Sequence, residues 1–195
     1  MLAGNIPLGD CVNELLSKSV EFTIILLDLT NFKPFNNHYS HTKGDELLII
    51  FSDLLRKHIN SETDFAAHIG GDDFVAVIKN NEWQNLLSSL FSEFHHKVIT
   101  FYTPEDQEQG GIQGTDRFGD DRFFEFVTVS AGAMTVTDEY FESFQPLLTN
   151  IIKLKQRTKR HNKLRIAHQF KNKIELYSFS EGQFEKVITE KIETP

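Results

Sequence analysis

At 195 residues, with 39% apolar and 25% charged side chains, the chain has the size and composition of one globular domain with a substantial core. Its net charge of −8 argues against general nucleic-acid binding, and a single cysteine, Cys11, excludes an internal disulfide and fits a reducing compartment. The longest aliphatic runs, such as 24–27 and 47–51, are far too short to cross a bilayer and 1–7 carries no secretory signal, so a cytoplasmic chain with no membrane segment is expected.

Val12, Leu15, Leu16 and Val20 recur at helical spacing and predict an amphipathic helix over 10–20. The β-branched run FTIILLDL, 22–29, predicts a buried strand ending at Asp28. Residues 31–44, with Pro34 and paired asparagines, predict a loop, after which Thr42 and Asp45 resemble a capping pair for a helix over 45–59. Two short strands, 65–69 and 74–78, flank IGGDD as a hairpin, where glycine supplies positive φ. A helix near 81–97 and a strand near 98–102 follow, then a polar excursion over 103–121. Residues 123–136 alternate as a strand, 141–160 predict a helix, and 164–167 a short strand that closes the sheet. Beyond 170, IELYSF predicts one added strand before a loose end. The order β-α-β-β-α-β with additions predicts an α+β fold, a central sheet flanked by helices.

The hairpin tip carries Asp72 and Asp73, and in a β-α-β-β unit the first strand and the hairpin lie side by side, so Asp28 is expected to join them. Three carboxylates at close range cannot all ionise unaided, and a hard divalent cation such as Mg²⁺ takes carboxylate and carbonyl oxygens while sharing its shell with phosphates. Lys33 lies in the loop after Asp28, and Lys155 and Lys159 stand four apart on one helix face, inside a segment, 153–165, with seven Lys and Arg and no acid. Three ammonium groups beside a metal suit a triphosphate. Asn36 and Asp45 offer an amide and a carboxylate that together match guanine and leave adenine poorly paired. Taken singly, each has an ordinary alternative: a turn aspartate, a surface lysine, a helix-start acid. The eight histidines are scattered, and the pair His95-His96 lacks the companions of a zinc site.

Together, DLTNFKPFNNHYSHTKGDELL and HIGGDDF resemble the signature of the GGDEF family, the diguanylate cyclases. The likeness runs through Asp28, Phe32, Lys33, Asn36, His41, Gly44, Asp45, Gly70, Gly71, Asp72 and Phe74, and SAG (130–132) and KQRTK (155–159) resemble two later family motifs. It implies a fold like the palm of nucleotidyl cyclases and polymerases. It also implies a reaction in which two GTP-loaded domains meet face to face and condense their nucleotides into cyclic di-GMP and two pyrophosphates. Carried over, Asp28, Asp72 and the Leu29 carbonyl hold Mg²⁺ or Mn²⁺, with Asp72 and Asp73 catalytic. Asn36 and Asp45 read guanine, and Lys33, Lys155 and Lys159 bind phosphates. Four departures stand out: Thr30 for Asp, Ser40 for Gly, His68 for Arg, and Asp73 for Glu, the last about 1.5 Å shorter. The family's inhibitory R-x-x-D reads SETD, with Ser61 for arginine and Asp64 retained, so no product feedback is expected there. The domain is expected over 1–169, with 103–121 as an insertion and 170–195 as an extension. The expected partners are GTP, a second copy of the chain, and an attached phosphodiesterase or sensor domain in a longer bacterial signalling protein.

Overall fold

The segment Phe22–Thr30 (β1) is apolar on both faces, and the two-residue period of a strand divides it between two cores. Ile25, Leu27 and Leu29 enter one cluster; Phe22, Ile24 and Leu26 enter the other. Such a strand is stable only in the middle of a sheet covered on both sides. The computed structural model, which describes residues 2–79, 81–115, 119–137, 141–159 and 164–192, shows that arrangement. Before β1 comes helix α1 (Asn5–Ser17), and after it α2 (Phe32–His38) and α3 (His41–His58). The hairpin β2 (Phe65–Gly70) and β3 (Asp73–Ile78) leads to α4 (Trp83–Ile99), α5 (Pro104–Gln109), β4 (Gly111–Thr115) and β5 (Asp121–Glu125). Then follow β6 (Thr128–Val136), α6 (Phe144–Thr158), β7 (Leu164–Phe170), β8 (Lys173–Ser180) and β9 (Gln183–Lys191).

The main sheet runs β2-β3-β1-β6-β7-β8-β9. Every pairing in it is antiparallel except β6–β7, which α6 joins as the crossover a parallel pair needs. Residues from α2, α3 and α4 build the core on one face; α1 and α6 build it on the other with Leu8, Val12, Leu147, Ile151 and Leu154. The expected α+β class, a mostly antiparallel sheet between helices, is what the chain adopts.

Local departures have physical causes. The first helix starts at Asn5, five residues earlier than the apolar period suggested, because Leu8 is fully buried. The expected loop over 31–44 contains α2, where Phe32 and Phe35 share a buried face and Phe35 packs against Tyr39 and Tyr102. The next helix opens at His41, capped by Ser40, whose hydroxyl accepts from the Lys43 N–H, so Thr42 is not the cap. No strand forms at 98–102: Leu87, Leu90, Phe91, Phe94 and Val98 keep helical spacing, and α4 continues to Ile99. The excursion over 103–121 folds into α5 and most of the two-stranded β4–β5 sheet, leaving β6 as the next strand of the main sheet. Beyond 170 there are two strands rather than one, with the end at 193–195 outside the described residues; Phe179 and Phe184 clamp the strands to Phe91 of α4.

Candidate active site

Register brings the carboxylates together. The β1–β3 pairing sets Asp28 opposite Asp73, and the β1–β6 pairing sets Asp28 opposite Ser130. Helix α6 lies unusually close over β6, because a Cβ at Gly132 would come within 2.6 Å of the Ile151 carbonyl and the Lys155 N–H nitrogen. That close approach delivers Lys155, whose Nζ donates to Asp28 Oδ1 at 2.5 Å and to Asp73 Oδ1 at 3.0 Å. Burial alone lowers the pKa of this lysine, but its bonds to Asp28 and then Asp73 outweigh the loss and raise it.

The β2–β3 turn is made by Gly70 and Gly71, at φ 137° and 56°, which frees Asp72 to stand at the tip. His68 stabilises this turn: its ring stacks on Phe74 at 4.4 Å and its Nε2 lies 2.8 Å from the Gly71 carbonyl oxygen, to which it donates. Asp72 is half-buried, and that burial, then the charges of Asp28 and Asp73, push its carboxyl up. The cluster thus carries surplus negative charge even with Lys155 present, and its donors are hard oxygens, as Mg²⁺ or Mn²⁺ requires.

Asp28 and Asp72 open into a cavity of about 1000 Å³. Its floor includes Leu29, Phe32 and Ser130; Lys33 and Asn37 come from the start and end of α2, and Lys159 and Arg165 from the α6–β7 end. The β4–β5 sheet contributes Thr115, Arg122, Phe123 and Glu125 to the lining, tied to the turn after β1 by Asn31 Nδ2 donating to the Glu125 carbonyl at 3.1 Å. Nearby, Asn36 tucks against Gly44, where a Cβ would lie 1.9 Å from Asn36 Oδ1. That oxygen is buried with no partner among the described residues, and Asp45 stands exposed one residue beyond Gly44.

A profile of the family described as "Diguanylate cyclase, GGDEF domain" matches residues 9–111, more than half of the chain. The chain belongs to the GGDEF family. Among curated proteins, a stretch of 64 residues is 45% identical to diguanylate cyclase DgcS of Shewanella oneidensis, covering 33% of this chain and 21% of that one. This GGDEF chain spans about a tenth to a fifth of the length of the first three such relatives it matches. Among solved structures, the coiled coil and GGDEF domain of DgcB from Caulobacter crescentus, in complex with c-di-GMP, superposes with a TM-score of 0.63 at 18% identity, over 86% of this chain and 82% of that one. The active GGEEF domain of a diguanylate cyclase from Vibrio cholerae gives 0.57 at 18% identity, over 82% and 92%.

In this GGDEF domain, the residues named from sequence fall into three groups. Asp28, Asp72, Asp73 and Lys155 form one connected cluster, and Leu29, Lys33 and Lys159 line the cavity it opens into. Asn36 and Asp45 flank Gly44 beside it but are not among the cavity's lining residues. His41 is exposed at the start of α3, and Phe32 is a buried floor residue. Among the described residues no three His, Cys, Asp or Glu side chains form a ready-made metal cluster. The expected set is two carboxylates and one main-chain carbonyl. Asp64 accepts from the Asn60 and Lys79 backbone N–H groups at 3.4 and 3.1 Å, so it braces the approach to β2 while Ser61 is exposed. Sequence reasoning missed Ser130, Arg122, Glu125 and Arg165 as cavity residues; only the basic run over 153–165 pointed toward the last.

Proposed function

We propose that the chain is a diguanylate cyclase domain that condenses two GTP into cyclic di-GMP and two pyrophosphates as a face-to-face homodimer. The observation that carries this is the Asp28–Lys155–Asp73 cluster, with Asp72 beside it, at the mouth of a cavity lined by Lys33 and Lys159. Asp28, Asp72 and the Leu29 carbonyl would hold Mg²⁺ or Mn²⁺, which supplies charge stabilisation at the α-phosphate and a more acidic 3′-hydroxyl. Asp45 accepts from the N1–H and exocyclic amine of guanine, and the Asn36 amide, with its unpartnered buried oxygen, completes the base contact. Lys33, Lys155 and Lys159 take phosphate oxygens. Each 3′-oxygen forms a bond to the other nucleotide's α-phosphorus as the bond to pyrophosphate breaks, and Asp73 would take the hydroxyl proton. One bound nucleotide leaves each domain with half of the reacting pair, so the second copy is a substrate requirement.

The reading extends to a cytoplasmic domain spanning 1–169, with 170–195 as its extension, joined in a longer protein to a sensor or phosphodiesterase. No helix among the described residues is long and apolar enough to cross a membrane. A second reading, GTP sensing without turnover, is favoured by Asp73, one methylene shorter than the family's glutamate and held by Lys155 at 3.0 Å. Purified chain incubated with GTP and Mg²⁺ or Mn²⁺ is expected to yield cyclic di-GMP by chromatography, and Asp28→Asn to abolish it. GTP binding by calorimetry with no product at high protein concentration would leave the sensing reading in its place.

A further inference from the structure

Arg165 has no role in the site as described so far, yet it lines the same cavity as Lys33 and Lys159. The course of β7 explains how it gets there. Its pairing with β8 shifts register between Leu164 and Ile166. In an unbroken strand those two residues would share a face, but Leu164 packs into one core and Ile166 into the other. The alternation therefore slips by one at Arg165, which is the extra residue of a bulge, a device that re-aims a side chain at the edge of a site. Arg165 is half-buried, and its guanidinium donates back to the Leu164 carbonyl at 3.2 Å.

Charge supports the same assignment. Glu125, which lines the same cavity, is the carboxylate whose field reaches Arg165, and Arg122 adds a second guanidinium to the cavity. Among the described residues, four cations thus line the cavity against Asp28, Asp72 and Glu125, in a chain whose net charge is −8. Once Asp28 and Asp72 are occupied with a divalent cation, the α6–β7 end is left positive. A phosphate chain anchored at those carboxylates would find Lys159 and Arg165 in the same cavity. A guanidinium fork matches two phosphate oxygens at once, which a lysine ammonium cannot do.

We propose that Arg165, beside Lys159, grips the terminal phosphate of the bound nucleotide and sets the preference for guanosine triphosphate over diphosphate. This rests on the GTP reading above. The test is calorimetric titration of the full chain with GTP and with GDP, each with Mg²⁺, for wild type, Arg165→Met and Arg165→Lys. Losing a charge-assisted phosphate contact is expected to weaken GTP binding by roughly tenfold to a hundredfold in Arg165→Met. GDP should weaken less than about threefold, and Arg165→Lys should recover only part of the GTP affinity. The GTP-to-GDP ratio is internal to each variant, so a general loss of structure lowers both affinities and leaves it unchanged. An unchanged ratio with GTP binding otherwise intact overturns the Arg165 assignment alone. Wild-type chain that binds neither nucleotide overturns the GTP reading, and this assignment with it.

Discussion

Gly132→Ala is the most direct test of how the site is assembled. The added methyl would meet the Ile151 carbonyl oxygen and the Lys155 backbone nitrogen at 2.6 Å, against a comfortable separation of roughly 3.5 Å. Both obstacles are main chain within α6, so no rotamer change relieves the clash; the helix must lift from β6 by close to 1 Å. Overpacking of this kind costs about 1–3 kcal/mol, which for a domain of this size lowers Tm by roughly 2–12 °C. The functional effect is larger, because Lys155 moves with the helix. Its 2.5 and 3.0 Å bonds to Asp28 and Asp73 lengthen, and a misplacement of about 1 Å in a reacting site costs on the order of a hundredfold in rate. The assay is thermal denaturation together with GTP turnover. Gly9→Ala serves as control, since its methyl would sit 3.6 Å from the Phe144 ring inside α1 and should be neutral or stabilising. A Gly132→Ala protein that melts within a degree of wild type and turns over GTP within threefold would show that the close helix approach does not set the site.

Gly44→Ala meets a flexible side chain rather than backbone, so Asn36 should swing away at little cost in Tm, while the preference for GTP over ATP falls by about tenfold or more in competition binding. Asp73→Glu restores the missing methylene and should raise turnover by about tenfold to a hundredfold; an unchanged rate would place the deficit elsewhere. Asp72 has a raised carboxyl pKa, caused by burial and then by Asp28 and Asp73, so the folded state holds its proton more tightly and the ionised form costs stability as pH rises through that raised value. Asp72→Asn should therefore raise Tm at pH 7, lose that advantage toward pH 4, and abolish turnover throughout. Burial pushes His168, bonded through Nε2 to Thr135 at 2.9 Å, down to about 4, with Glu175 opposing. Between pH 6.5 and 4 the unfolded chain binds the extra proton, so stability is complete above 6.5 and falls by up to about 3 kcal/mol on acidification; His168→Gln should flatten that part of the denaturation profile.

Periodicity made most of the fold legible. β1 could be read as a buried strand because 24–27 are aliphatic without a break, and the hairpin could be placed beside it because a β-α-β-β unit sets those strands together. What failed did so where two periods overlap over a few residues. Phe32 and Phe35 are three apart, which fits a helix, yet Pro34 between them and Asn36 and Asn37 just after look like loop chemistry. KVITFY has the composition of a strand, but Val98 extends the buried stripe of α4 and keeps its backbone helical. Composition is a weak guide to a segment whose partners lie elsewhere in the chain.

The site divides along the same line. Asp28 faces Asp73 because strand register is a property of sequence spacing and turn length, and both can be read directly. Lys155 reaches them for a different reason: Gly132, 23 residues earlier, removes the one Cβ that would hold α6 away. The lysine was legible as a cation near phosphates, but its bond to the carboxylates depends on a helix–sheet distance that no periodicity encodes. Arg165 is further still from view, since its aim depends on a bulge that exchanges the faces of Leu164 and Ile166. Carboxylates placed by register alone would repel one another, and Asp28 and Asp73 add to the burial that already raises the Asp72 carboxyl. The cations that make such a cluster tolerable arrive through packing. The acidic half of the site is therefore written locally in the strands, while the basic half depends on how closely α6 and β7 can approach them.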